Sequence, residues 1–249
     1  MKDILVIPDS HCRPGVSNSR FTWLARLIAD TQPEVIVHLG DLFDMESLCS
    51  YDKGKKSFEG RRYTKDIAVG QNALQRLSDA FSPAYNPRRV FLEGNHEHRI
   101  AKAVDFEPAL DGKLTLADLG LKDFGWETHP FLKTVTIEGV CFSHYFVSGV
   151  MSRPIGGENP ATSLINKQHR SCIAGHLHLY DYSERTDAAG KKIQCITAGC
   201  FLEPGQWEGY AGPANLLWRN GVTYLHGVQG GQFDFEMIST ARLRREYGR

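Results

Sequence analysis

The sequence has no surplus of charge. Lys plus Arg and Asp plus Glu both number 29 in 249 residues, so no global field draws the chain to nucleic acid or to an anionic membrane, and any basic surface has to be local. The six cysteines contain no CxxC pair, which speaks against a disulfide framework or a zinc knot and for reduced thiols that act as small hydrophobes. The start, "MKDILVIPDS", carries one lysine and a four-residue apolar run, too short for a signal peptide or a membrane span. Internal repeats and low-complexity linkers are also missing. What these absences leave is a cytoplasmic globular protein, and 41% hydrophobic residues suffice for one domain over residues 1–249.

The order of elements narrows the fold. "DILVIPD", "PEVIVHLGD" and "RRVFLEGN" read as buried strands, separated by "NSRFTWLARLIAD" and "TKDIAVGQNALQRLSDAF", whose apolar residues recur at helical spacing. Strand, helix, strand, helix, strand predicts parallel pairing with helices packed on a sheet. Further along, "KTVTIEGVCFSHYF" predicts two strands around Glu138 and Gly139, "ENPATSLINKQH" a helix capped by Asn159, and "SCIAGH" and "KKIQCITAG" two more strands. "NLLWRNGVTYLHGV" reads as a hairpin turning at Asn220 and Gly221, "QFDFEMIS" as a strand, and the tail "ARLRREYGR" as a frayed, solvated terminus. The mixture predicts an α/β fold, a four-layer α-β-β-α sandwich with two mixed sheets flanked by helices.

The first three predicted strands and two later ones stop in residues of metal-ligand chemistry. The first ends at Asp9 and His11, the second at Asp41 and Asp44, the third at Asn95 and His96; later strands end at His144 and at His176 and His178. The carboxyl edge of an open α/β sheet is where such side chains converge. Carboxylates, imidazoles and one amide oxygen suit Mn, Fe, Zn or Ni. Two metals served by seven ligands require one shared carboxylate if positions are to stay open for water and substrate. The glycines before Asp41, Asn95 and His176 are expected to let the backbone turn sharply. His38, His129, His169 and His226 lie in strand or surface patterns and are read as non-ligands.

Asp9-x-His11, Gly40-Asp41-x-x-Asp44, Gly94-Asn95-His96-Glu97, His144 and Gly175-His176-x-His178 together resemble the calcineurin-like metallophosphoesterase superfamily. Any one of these motifs is weak; five in order are specific. The resemblance implies that Asp9, His11 and His178 bind one divalent transition metal, manganese by first preference, that Asn95, His144 and His176 bind a second, and that Asp41 bridges them. It also implies that His96 contacts the phosphate or protonates the leaving oxygen, with Asp44 orienting its ring. The implied reaction is hydrolysis of a phosphate ester by attack of metal-bound hydroxide, without a covalent intermediate.

Departures from the family guide the substrate expectation. Protein Ser/Thr phosphatases carry Arg-Gly after GDxxD, where this chain has Met45 and Glu46. "GDLFD" and "GHLH" look similar to the DNA-repair nuclease branch, but the roughly 70 residues after His178 leave little room for the capping domain of its larger members. Compact bacterial and bacteriophage phosphoesterases are closer in size. After the second motif, "SYDKGKKSFEGRRYTK" has six cations, among them Lys55, Lys56, Arg61 and Arg62, against two carboxylates, with Tyr51, Phe58 and Tyr63 interleaved. Cations with aromatics are what a nucleotide or nucleic-acid groove uses, so this basic insertion, residues 50–65, is expected beside the metals. The leading expectation is a phosphodiesterase acting on a nucleotide or nucleic acid. A phosphomonoesterase or protein phosphatase, and a non-catalytic metal-binding interaction module, are the alternatives.

Overall fold

A computed structural model describes residues 1–248. Six strands form one sheet: β1 (Lys2–Ile7), β2 (Val35–His38), β3 (Arg88–Leu92), β4 (Glu127–His129), β12 (Gly221–Gln229) and β13 (Gln232–Ser239), in the order β13-β12-β1-β2-β3-β4. The run β1 to β4 is parallel, and β12 and β13 add antiparallel at the other edge. The second sheet has the order β10-β11-β9-β6-β5, from β5 (Val135–Ile137), β6 (Val140–Ser143), β9 (Cys172–Ala174), β10 (Tyr180–Thr186) and β11 (Lys192–Ala198). Its middle strands β6, β9 and β11 are parallel. A small ribbon pairs β7 (Val147–Ser148) with β8 (Arg153–Pro154).

Side-chain alternation explains the layers. Along β1, Leu5 and Ile7 pack with Phe21, Leu24 and Ile28 of α1 (Ser19–Thr31) and with Leu74 and Leu77 of α2 (Tyr63–Ser78). The intervening Ile4 and Val6 face the other way, against Phe142, Ile173 and Ile196 of the second sheet. That sheet's far side, with Cys141, Cys172 and Cys195, is covered by Ala161, Leu164 and Ile165 of α4 (Pro160–Gln168). Strands buried on both faces are why the sequence shows continuous apolar runs rather than alternation. The result is the expected four-layer α-β-β-α arrangement.

Three sequence expectations are corrected. Asn220 and Gly221 do not turn a hairpin: Asn220 donates from Nδ2 to the Leu202 carbonyl and accepts from Leu202 N–H and Thr240 Oγ1, which ties it into three segments at the start of β12. The hairpin lies ten residues on, between β12 and β13, at Gly230 and Gly231. The tail is no frayed terminus, since α5 (Thr240–Tyr247) seats fully buried Leu243 in the core beside α1; Arg249 lies outside the described residues. Asn159 does stand at the α4 N-terminus, but its side chain makes no cap, and Asp181 of β10 accepts the Ala161 N–H instead. Among the described residues no helix is long and apolar enough to cross a membrane.

Candidate metal centre

The carboxyl ends of β1, β2, β3, β6 and β9 deliver Asp9, Asp41, Asn95, His144 and His176, each within three residues of its strand's last residue. Their backbone is unusual. His11 (φ 42°), Asp41 (φ 52°), His176 (φ 68°) and His178 (φ 60°) are all left-handed, a conformation that costs non-glycine residues energy and clusters at functional sites. Of the three preceding glycines only Gly40, at φ 100°, makes the sharp turn. Gly94 and Gly175 serve a different need: a Cβ there would lie 2.0 Å from Asp41 Oδ1 and 2.3 Å from Asp9 Oδ1.

Asp9, His11 and His178 each offer a ligand atom within 4.8 Å of the others, and Asp41, His144 and His176 form a second such group. Asp41 Oδ1 accepts the His96 N–H at 2.8 Å, which leaves Oδ2 facing inward, 3.4 Å from His144 Nε2 and 3.9 Å from His11 Nε2. Asp9 accepts the His176 N–H and lies 3.2 Å from His178 Nε2. His38, His129, His169 and His226 belong to no such group among the described residues.

The ring tautomers reveal what the cluster is short of. His144 Nδ1 sits 2.9 Å from the Leu39 carbonyl, which only accepts, so that nitrogen carries the proton. In the neutral ring Nε2 is then a lone pair, and it faces Asn95 Oδ1 at 3.0 Å. His11 Nδ1 lies 3.2 Å from Asp44 Oδ1, and its Nε2 lies 3.1 Å from His178 Nε2, which also faces Asp9 Oδ2 at 3.2 Å. Neutral rings would set acceptor against acceptor here, so the cluster needs positive charge, which ring protons or a divalent cation can supply. The titration tendencies agree. Burial disfavours charge on Asp9, yet the imidazoles, His144 foremost, hold its carboxyl well below the ordinary range. Burial also opposes a charged His11, but the Asp44, Asp41 and Asp9 carboxylates raise it to about 9.

His96 joins His11 and Asp41 in a third such group, its Nε2 3.8 Å from Asp41 Oδ2. Its Nδ1 lies 2.7 Å from Asp44 Oδ1 and 2.8 Å from the Asp44 carbonyl, so it donates to Asp44 and leaves Nε2 toward the opening. Two residues absent from the sequence expectation complete this corner. Arg99 brings Nη2 to 3.2 Å from His96 Nε2 while donating to the Asp44 carbonyl, and Arg13 lies 3.8 Å from Asp44 Oδ2 and 2.6 Å from Glu208. A third, Glu97, is fully buried and accepts backbone N–H groups from Gly94, Asp41 and Phe43. It clamps the β2 and β3 end-loops together. The "NHE" spacing was the available signal for Glu97; nothing local marks Arg13.

The basic segment folds as short 3-10 turns along the rim, and its residues divide. Lys55 and Arg61 line a cleft of about 400 Å³ that includes His96, Arg13 and Arg99; both cations pair with Asp52, at 3.0 and 2.9 Å. Lys56 and Arg62 are exposed. Tyr63 turns into the body, donating to Asp118 at 2.8 Å. Tyr51 lines a second cleft, on the Asn95 and His176 side, together with Tyr145, whose ring lies 4.6 Å from that of His176.

A model of the calcineurin-like phosphoesterase family matches residues 2–185. The chain belongs to that family. The family is one of phosphoesterases, and this chain carries His and Asp groups that could hold metal. Two bacteriophage proteins are similar to this calcineurin-like phosphoesterase. Gene 54 protein of Mycobacterium phage L5 is 31% identical over 110 residues, 44% of this chain and 42% of that protein. Gene 54 protein of Mycobacterium phage D29 is 25% identical over 240 residues, 93% of this chain and 82% of that one. The match thus spans less than half the length of the L5 protein. Among solved structures, Yfce, a phosphoesterase from E. coli, aligns over 96% of this chain and 99% of its own at 12% identity, with a TM-score of 0.43. A conserved uncharacterized protein from Streptococcus pneumoniae, described as a predicted phosphoesterase, aligns over 95% and 98% at 11% identity, with a TM-score of 0.36.

Proposed function

We propose that this calcineurin-like phosphoesterase cleaves a phosphodiester in a nucleotide or nucleic acid, using two divalent transition-metal ions. Asp9, His11 and His178 hold one, Asn95, His144 and His176 the other, and Asp41 lies between. The observation that carries this reading is the inward Asp41 Oδ2, with His144 Nε2 at 3.4 Å on one side and His11 Nε2 at 3.9 Å on the other. When bound, the cations supply a water of lowered pKa and neutralise charge on the phosphoryl oxygens.

The chain's own groups do the rest. Asp44 accepts the Nδ1–H hydrogen bond of His96 and so fixes its tautomer, directing Nε2 to the place where the departing oxygen sits. Arg99, a pure donor, occupies Nε2 when no substrate is there and passes to a phosphoryl oxygen when one arrives, freeing Nε2 to carry the proton the leaving oxygen takes. Lys55 and Arg61, paired with Asp52 beside His96, and the exposed Lys56 and Arg62 are read as substrate-binding cations. A diester is favoured over a monoester because clefts open on both sides of the centre, one at His96 and one at Asn95 and His176. Residues 1–249 are read as one domain, and six free cysteines suit a reducing cytoplasm.

The test is Mn²⁺-dependent hydrolysis of bis-p-nitrophenyl phosphate beside p-nitrophenyl phosphate. Faster cleavage of the diester, lost in Asp41→Asn, is the expected result. Preference for the monoester would replace the diesterase reading by a phosphomonoesterase, and two bound metals without turnover on either would leave a binding module.

A further inference from the structure

The cleft on the Asn95 and His176 side has features the metal centre does not use. Its volume is about 510 Å³, within the ~300–1,000 Å³ of small-molecule sites. One wall is the rim segment with Tyr51, the other is α3 (Arg99–Phe106), and the candidate ligands Asn95 and His176 form its inner end. Tyr51 and Phe106 on these walls are 85% and 80% exposed. Large aromatic rings left this open beside a reaction centre need a reason beyond packing.

Charge distinguishes the two clefts. On the His96 side the cations are compensated internally, Arg13 by Glu208 and both Lys55 and Arg61 by Asp52. On the Asn95 side Lys53 and Lys102 have no carboxylate within ion-pair distance among the described residues, although Glu107 also lines the cleft; Arg99 lines both clefts, and Lys53 Nζ lies over the Phe106 ring at 5.0 Å. A net positive charge around open aromatic rings is the arrangement that stacks a base and holds its phosphate.

We infer that this cleft is the subsite for the retained nucleoside of the substrate, its base stacked on Tyr51 and Phe106 and its phosphate reached by Arg99 and Lys102. The inference rests on the phosphodiesterase reading for its placement, since a leaving group at His96 puts the retained arm on the opposite side. It names nucleotides rather than simple alkyl or aryl diesters as the substrate class.

Metal-free protein titrated into 1,N6-ethenoadenosine 5′-monophosphate, followed by its fluorescence, tests the subsite without turnover. Saturable quenching is expected, with Kd weakened about 5- to 150-fold in Tyr51→Ala and in Phe106→Ala, the range one stacked base supplies, and restored in Tyr51→Phe. No saturable change, or the same Kd in both alanine variants, overturns it. A second arm compares Mn²⁺-dependent hydrolysis of thymidine 5′-(p-nitrophenyl phosphate) with that of methyl p-nitrophenyl phosphate. A higher kcat/KM for the thymidine ester, carried by KM and lost in Phe106→Ala, supports the subsite, and equal values refute it. If neither ester is cleaved while quenching behaves as expected, the subsite stands and the hydrolase reading is what fails.

Discussion

Replacing Glu97 by alanine should unfold more of this protein than replacing any metal ligand. Its two carboxylate oxygens accept three backbone N–H groups, from Gly94, Asp41 and Phe43, each at 2.9 Å, in a fully buried position. Alanine leaves those three donors dry, at ~1–3 kcal/mol each when counted singly. Because they share one acceptor group the losses do not add fully, and about 3–5 kcal/mol is expected. In a chain of this size that lowers Tm by roughly 6–20 °C. Glu97→Gln keeps one acceptor oxygen but sets an NH₂ against an N–H, so its cost should fall between wild type and alanine. Urea unfolding of metal-free protein at constant m-value measures the difference. A Glu97→Ala variant within about 1 kcal/mol of wild type, less than one lost buried hydrogen bond, would refute the clamp.

Three further perturbations probe other levels of the structure. Gly175→Ala forces Asp9 to move, since the new Cβ would sit 2.3 Å from its Oδ1; metal affinity should fall about 10–100-fold with the far-ultraviolet dichroism unchanged, and unaltered affinity by titration calorimetry counts against Asp9 as a ligand. His38 is fully buried against Ser10 and Phe91, and burial draws its pKa down to about 3. Below pH 6.5 the unfolded chain therefore binds a proton that the folded one refuses, so stability falls as pH drops toward 3, by up to ~1.4 kcal/mol per unit. Between pH 7 and 5 wild type should lose about 2 kcal/mol more than His38→Leu, and parallel unfolding curves at both pH values would contradict this. Leu243→Ala should cost about 2–5 kcal/mol by opening a cavity under α5; a frayed tail would cost nothing measurable by thermal unfolding.

The site was legible where it sits next to buried strands, because a fully apolar run ending in Asp, Asn or His marks both the strand and its exit. β1, β2, β3, β6 and β9 all announce themselves that way. β10, "YDYSERT", does not: it is an edge strand with polar residues on its open side, and only its pairing with β11 makes it a strand. The Asn-Gly dipeptide misled because its amide is committed to Leu202 and Thr240, 18 and 20 residues away, a demand no local pattern records. Arg13 and Phe106 escaped for the same reason. Each acquires its role from a partner brought over by the fold, Glu208 for the first and the rim with Tyr51 and Lys53 for the second.

Left-handed backbone at His11, Asp41, His176 and His178 sets stability and chemistry against each other under selection. Glycine at any of these positions relieves ~1–2 kcal/mol of steric cost, and each such change deletes a candidate ligand. A library screened for heat tolerance alone, in chelator, should therefore drift toward glycine at these four sites, while one screened for phosphate release should hold them fixed. In descendants freed from catalytic duty, these four would be the first ligands to disappear.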